Sequence, residues 1–379
     1  MAKVLVTEKF LQDIGDAIRT KNRSTDKYRP SEMAAQINGL EAGLDMADYF
    51  NGKTTEINDK NGVVTSVVPN AFSSQDSENA CPLTSLSLPK ATSIGSRSFQ
   101  QNRNLVTINL PEVTTIDINA FQKCKMLKNV TIPKVTKIGD RAFDQCSLIS
   151  LLNISNIEYL GNYALCGTSL SGDLTFPALA HIGDQCFTSS SNAITSLTLP
   201  MINNEGLVMG GYSGGVFKDL ESMRTINAPL LTIIPDWAFY RCSSLTTVNT
   251  GFLTKIGDYG FSGCKQLTNI DLSQCISIGS HAFSECANIT EIKLPKVKHL
   301  GRQSFENCTN LASLVIGSQS DSNVCEVWNT PAGGTQISKG LGYIYVADSL
   351  VDSYKATDFW KDHASQIKPL SEYPETIGG

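Results

Sequence analysis

A solenoid of short parallel strands is the fold class this sequence predicts, and three observations predict it. An Ile-Gly-type position returns at Ile94, Ile116, Ile138, Leu160 and Ile182, then at Ile234, Ile256, Ile278 and Leu300, and every step is 22 residues except 182 to 234. An alternating apolar segment keeps register with it, marked by Leu88, Leu110, Ile132, Ile154, Phe176, Leu199, Ala228, Thr250, Leu272, Leu294 and Ile316, eleven copies. The chain is 379 residues long, too long for one ordinary core, and 41% apolar. An array of units that each contact only their neighbours escapes that size limit.

Each part of the unit has a physical reason. The x-Ile-x-Leu alternation is that of a half-buried strand. A strand so short, repeated every 22 residues, pairs with its copies in the next coils, giving a parallel ladder that rises about 4.8 Å per coil. Pro89, Pro111 and Pro133 follow the strand and stop the ladder, having no N–H to donate. The Gly after Ile suits a turn with positive φ; Asp117 and Pro235 are the exceptions. Ser96, Asp140, Asn162, Asp184, Asp236, Asp258 and Ser280 come next, and these are N-cap residues. Each is expected to cap its own short helical turn, which carries Ala-Phe with the ring driven inward. Ile118 and Arg302 replace the cap, and Leu165 replaces one Phe. The predicted fold is therefore an α/β repeat solenoid of about eleven 22-residue coils with short parallel strands and short helical turns.

The flanks differ. Residues 1–44 predict two small amphipathic helices, one from about 8 to 21 after Thr7 and one after Pro30-Ser31. Such helices must dock on something to be stable. Residues 45–317 form the solenoid. Its irregular first coil has Asn51-Gly52 and Asn61-Gly62 turns. Thr54–Ile57 and Val63–Val68 could pair there as a hairpin, and Asn70-Ala71-Phe72 begins an Ala-Phe copy. Between Phe187 and Phe217 the step is 30 residues. The insertion near 201–215 is expected to bulge, as solenoid insertions map to loops, often on a binding face. Residues 318–379 predict a C-terminal cap. Its strand is Tyr343–Val346; its helix is capped by Asp348 or Ser349; Phe359, Trp360, Ile367 and Leu370 cover the last coil.

Charge and chemistry exclude more than they include. A formal net charge of −5 argues against nucleic acid or an anionic membrane as partner. No apolar run approaches a membrane span, and the N-terminus shows no secretory signal, so a product made in the cytoplasm and then carried on a virion or cell surface is expected. Six of 11 cysteines share one column, Cys124, Cys146, Cys242, Cys264, Cys286 and Cys308. Adjacent coils place column members about 5 Å apart, near disulfide range. A ladder of buried reduced thiols is the better reading, and no CxxC pair suggests zinc. His181 and His299 share a repeat position but lie several coils apart; His281 and His363 have no obvious partner in the sequence. No catalytic triad, phosphate loop or metal motif is present, so no catalytic, cofactor or metal residues are expected.

The motif Ile-Gly-Asp-x-Ala-Phe-x-x-Cys-x-x-Leu-x-x-Ile-x-Leu-Pro, as at Ile138–Phe143 and Ile256–Leu272, closely resembles the BspA-like, treponemal-type leucine-rich repeat. The resemblance covers about 70 to 317 and implies adhesion or recognition at surfaces, with no catalytic residues to carry over. The tail from Tyr343 to Leu370 is similar to the end segment common in such proteins from gut Firmicutes. Asp16–Arg19 and Pro30–Leu40 are similar to a helical segment of phage and prophage tail-associated proteins, which implies attachment to other virion proteins through residues 1–44. The expected function is non-enzymatic recognition of a protein or glycan on a cell surface by a tail-associated component, the alternative being a bacterial surface or secreted adhesin. The expected binding surface is the outward face of the ladder, Thr107, Asn109, Asn129, Thr131, Thr225, Asn227, Thr247, Asn249, Asn269 and Asp271, together with Tyr212 in the insertion. A simply solvated sheet face explains the same residues, and a homo-oligomer is left open.

Overall fold

The computed structural model describes residues 55–374 apart from 60–61, 63, 68, 74–81, 151–154, 189–192, 208–213 and 328. The two helices expected in 1–44 lie outside the described residues. The chain divides into two compact units, residues 1–170 and 171–379.

In the first unit four successive coils each contribute two short strands, not one. Glu56–Asn58, Ser85–Ser87, Thr107–Asn109 and Asn129–Thr131 form one parallel ladder. Ser66–Val67, Ser93–Ile94, Thr115–Ile116, Lys137–Ile138 and Tyr159–Leu160 form another. The expected hairpin does not form: the strand at 56 pairs with 85 and the strand at 66 with 93, each with the next coil. A hairpin would have left the first coil's end uncovered, whereas parallel pairing continues the stack.

The second unit repeats the plan. Ser171–Thr175, Ala193–Thr198, Thr225–Ala228 and Thr247–Thr250 form one sheet. Glu291–Leu294, Ser313–Ile316, Tyr343–Val346 and Ile367–Pro369 form a second. Ile233–Ile234, Lys255–Ile256, Ser277–Ile278, His299–Leu300 and Glu326–Val327 form the companion ladder. The stretch from Asn269 to Asp271 carries no strand and separates the two sheets.

The segment expected as a helical turn is a run of tight turns. Ala120, Gln122 and Cys124 donate N–H bonds back three residues, to Asp117, Asn119 and Phe121. The residues between them, Asn119, Phe121 and Lys123, donate instead to Asp140, Ala142 and Asp144 of the next coil, at 2.8–2.9 Å. Asn119 and Lys123 have φ of 56° and 62°. That left-handed twist turns alternate N–H groups out of the coil, so backbone donors are satisfied along the stack as well as within it.

Two sequence readings of this corner are corrected. The glycine after Ile does not have positive φ; it is required by close approach. A Cβ on Gly279 would lie 2.6 Å from the Asp258 backbone nitrogen, and one on Gly139 would lie 2.8 Å from the Ile118 nitrogen. The acid that follows does not cap its own turn. Asp140, Asp236 and Asp258 each accept, through Oδ1, the backbone N–H of the matching residue one coil on, Asn162, Asp258 and Ser280, at 2.7–2.9 Å. The acidic column is a staple between coils.

Phenylalanine supplies the core. Phe72, Phe99, Phe121 and Phe143 stack with ring centroids 5.2–5.4 Å apart. Phe217, Phe239, Phe261, Phe283 and Phe305 stack at 5.1–5.7 Å. Beside them the ten described cysteines are free thiols. In the six-member column each Sγ donates to the carbonyl of the Phe one coil back, as Cys124 to Phe99 at 3.2 Å and Cys308 to Phe283 at 3.0 Å. Asn102 makes the same contact to Phe72 through Nδ2. Most of the column is therefore a small buried donor, with buried Leu220, three residues after Phe217, the apolar exception.

The C-terminal cap holds the predicted strand and a helix, Val351–Ala356, preceded by a 3-10 turn, Asp348–Leu350. Neither Asp348 nor Ser349 caps the helix; Asp348 Oδ1 instead accepts from Gln319 and from the Ser371 N–H. Trp360 is fully buried and donates to the Cys325 carbonyl, while the Tyr354 hydroxyl accepts the Cys325 N–H. Phe359, expected to cover the last coil, is exposed.

Candidate recognition surface

The outward face of the strand ladder is built as the alternation requires. Leu86, Ile108 and Ile226 point into the core with no exposure, so their neighbours point out. In the first unit Thr107 opposes Asn129 and Asn109 opposes Thr131. Asn129 Nδ2 donates to Thr107 Oγ1 at 3.2 Å, and Asn109 Nδ2 approaches Ser87 Oγ at 3.4 Å. In the second unit Thr225 opposes Thr247 and Asn227 opposes Asn249, and Thr195 donates to Asp173 at 2.7 Å. These cross-strand bonds fix the rotamers of short side chains in advance, which lowers the ordering cost of binding. Asn269 and Asp271 are exposed but not in a strand, and Asp271 Oδ1 accepts the Ser273 N–H within its own turn. Tyr212 lies outside the described residues.

The expected bulge begins as part of the coil. Asn203 and Leu207 make bridges to Leu230 and Ile182. Asn204 is clamped to the next coil, its Oδ1 accepting from the Thr232 and Ile233 N–H groups and its Nδ2 donating to Thr232 Oγ1. Gly214 and Gly215 are buried against Asp184 and the Trp237 backbone, where a Cβ would come within 2.0 and 2.1 Å of their atoms. Residues 208–213 lie outside the described residues.

Two clusters were missed by reading along the chain. Trp237, Tyr259 and His281 occupy one column, two residues before Phe, and stack at 4.0 and 4.7 Å. Lys218 lies over Trp237 and Tyr240, and Arg241 over Tyr240. His281 Nδ1 is 3.4 Å from Glu306. Farther along the second unit, the ladder face ends in Tyr343, Tyr345, Tyr373, Glu291, Lys293 and Lys368. Tyr373 donates to Glu291 at 2.5 Å, Lys293 pairs with Glu291 at 3.1 Å, and Lys368 lies 4.3 Å from the Tyr343 ring centre. Burial pushes the Glu291 carboxyl upward, but the bonds from Tyr373 and Lys293 outweigh it and hold the group below its ordinary range. Reading down the columns of the aligned repeat would have found the first cluster, since Trp237, Tyr259 and His281 follow Arg97, Asn119 and Arg141 at the same position; the second draws Tyr343, Tyr345, Lys368 and Tyr373 from beyond the 22-residue array and has no such signal.

Chemically these surfaces offer hydrogen bonds and aromatic contacts. Among the described residues no group of three or more His, Cys, Asp and Glu is placed to hold a metal ion, and no helix is long and apolar enough to cross a membrane. The cysteines are guarded by burial, which pushes Cys166 and Cys275 up to about 11 and Cys308 to about 12.

Stacked coils, two parallel ladders and an internal Phe column define a solenoid repeat protein. The chain belongs to the BspA type leucine-rich repeat family, whose pattern matches in six copies over residues 55–200 and 213–323. Solved structures with similar folds include three bacterial proteins. A leucine-rich repeat protein from Bacteroides ovatus is 21% identical, covering 66% of this chain and 86% of its own, with a TM-score of 0.37. A leucine rich cell surface protein from Faecalibacterium prausnitzii is 20% identical, covering 69% and 87%, at 0.38. The pneumococcal vaccine antigen PcpA is 18% identical, covering 81% and 83%, at 0.46. No curated protein matches the chain. The family match begins at residue 55, beyond the segment that resembles phage tail proteins.

Proposed function

We propose that this is a non-enzymatic recognition protein of the adhesion type, binding a protein or glycan on a cell surface through the outward face of its strand ladder. One observation carries the reading. Coil after coil presents small neutral donors and acceptors, Thr107, Asn109, Asn129 and Thr131 in one unit and Thr225, Asn227, Thr247 and Asn249 in the other, in register with their neighbours. A row of hydroxyls and amides, held by cross-strand bonds in the first unit, suits a partner's backbone or sugar hydroxyls better than it suits catalysis, which needs a perturbed acid, base or nucleophile in a cleft. Membership of the repeat family supports the same reading. Attachment to a phage tail through residues 1–44 is the narrower possibility that the N-terminal resemblance raises. The test is binding of the purified chain to intact cells and to immobilised glycans and matrix proteins. Replacing Thr225, Asn227, Thr247 and Asn249 with Ala removes their hydroxyls and amides without placing like charges opposite each other and should abolish the strongest binding; undiminished binding by the folded variant would remove the ladder from the proposal.

A further inference from the structure

The corner that follows each ladder strand holds an internal comparison. Two residues past the strand's reference position, the chain carries Lys90, Glu112, Lys134, Asn156 and Ala178, and later Gln274 and Lys296. Where two such side chains face each other they pair, Lys134 with Glu112 at 2.6 Å and Lys296 with Gln274 at 2.5 Å. In three successive coils between them the aligned residue is Met201, Leu230 and Phe252, with the backbone bridge setting Leu230 beside Asn203, two residues past Met201. Met201, Leu230 and Phe252 are 52%, 48% and 68% exposed. Ile276, 44% exposed, lies one coil further, on a backbone that bonds to Thr254, two residues past Phe252.

The fold does not ask for apolar residues there. The same backbone position elsewhere in the chain is filled by lysine, glutamate, asparagine or glutamine, and once by the small Ala178. Burial does not explain them either, since all of them face water. Three consecutive large apolar residues in this column make a stripe about 10 Å long at the rise of a parallel ladder. The apolar area it leaves open is roughly 400 Å², within the range in which exposed patches mark interaction sites.

We propose that Met201, Leu230 and Phe252, extended by Ile276, form a docking stripe for a short apolar segment of another protein. This deepens the adhesion reading and rests on it, because the stripe borders the Thr225, Asn227, Thr247 and Asn249 face. The area selects the occupant. It is about half of the roughly 800 Å² per partner that a standard stable interface buries, so it is too small for a permanent second copy. It matches two or three large side chains projecting from one strand or helix turn. The ladder side chains along its border are uncharged hydroxyls and amides. They can take the hydrogen bonds of a partner backbone while the stripe takes its apolar side chains, an arrangement of apolar centre and polar rim. Phe252 is the most exposed of the four and is the expected anchor.

The experiment presents the full chain with a displayed library of short random peptides and measures the affinity of those enriched. Peptides with two or more large apolar side chains should emerge. Their affinity should fall at least about tenfold for Leu230→Lys and for Phe252→Lys. Lysine already stands at 134 and 296 of the same column, so both variants should melt where the parent does. The proposal is overturned if no peptide is enriched, or if enriched peptides bind the lysine variants equally well. It is also overturned if light scattering shows the parent self-associating through this stripe, with Phe252→Lys dissociating it. Peptide binding lost on Phe252→Lys but kept in the Thr247 and Asn249 variants would leave the stripe standing and remove the ladder reading; the opposite pattern would do the reverse.

Discussion

Phe261 is where the stack can be tested most directly. Its ring is fully buried between Phe239 and Phe283, with centroids 5.1 and 5.4 Å away. Phe261→Ala removes the burial of a large side chain and two stacked pairs at once. A core Phe→Ala change costs about 3–5 kcal/mol, of which the stacked pairs contribute ~1 kcal/mol each. With a urea slope of about 3 kcal/mol per M, the midpoint of the second unit falls by about 1 M or more. Trp237 and Trp360 both belong to that unit and report its unfolding by fluorescence. Phe261→Leu is the control. Leu165 fills the same column in another coil with no exposure, so leucine is compatible with the corner and the cost should be nearer 1 kcal/mol. Equal losses for Ala and Leu, or an Ala loss under about 1 kcal/mol, would refute the claim that ring stacking holds the coils together.

Three further outcomes follow from the corners and the thiols. Gly279→Ala should cost about 2 kcal/mol or more in urea titration, because its Cβ would press on the Asp258 nitrogen, whereas Gly333→Ala, with nothing within 4 Å and no positive φ, should stay within about 0.5 kcal/mol. Asp258→Ala removes the acceptor of the Ser280 N–H and should cost about 1 kcal/mol, with Asp258→Asn costing less because an oxygen remains to accept the bond. Alkali should destabilise the array. A thiol held at about 11 in Cys275 and about 12 in Cys308 binds its proton more tightly folded than unfolded, where it titrates near 8.5. Its contribution is whole below that value and is lost as pH rises toward the folded value, so thermal melts should decline from about pH 9 upward. A Cys308→Ser variant should show a shallower decline.

The strand ladder was legible because alternation and period are properties of the chain itself. A 22-residue period with x-Ile-x-Leu at fixed register leaves parallel pairing between coils as the natural solution. The second ladder was not seen because its strands are two residues long, as at Ser93–Ile94 and Lys255–Ile256, too short to show any period. The Gly and Asp positions were found but misassigned. Both were read through local rules, positive φ for glycine and N-capping for aspartate. Their partners are 22 residues away, on a coil that touches them only once the stack exists. The broken period marks an insertion near 201–215, yet Asn203–Leu207 lies within the coils, because Asn204 finds backbone donors there that a free loop would lack. Of the expected surface, Thr225, Asn227, Thr247 and Asn249 fall together on adjoining strands. Asn269 and Asp271 do not, because Asp271 turns back on Ser273.

A repeat array carries its own controls, and that changes what a single sequence can say. In an ordinary domain an exposed Phe is one exposed Phe, and such residues are common on surfaces. Here the environment of Phe252 is reproduced at positions 90, 112, 134, 156, 178, 274 and 296 of the same chain; six of these are polar and the seventh is the small Ala178, so none is a large apolar side chain. The difference therefore does not come from backbone geometry, coil position or the need for a core. The same comparison explains why the Cys column is structural. Its members can be replaced by Asn102, which donates to the same carbonyl, so the column is constrained by the stack. Columns that stay small or apolar and buried, as this one does with Cys, Asn102 and Leu220, report what the solenoid needs to stand. Columns that depart over adjacent coils, as at 201, 230 and 252, report a demand from outside the fold.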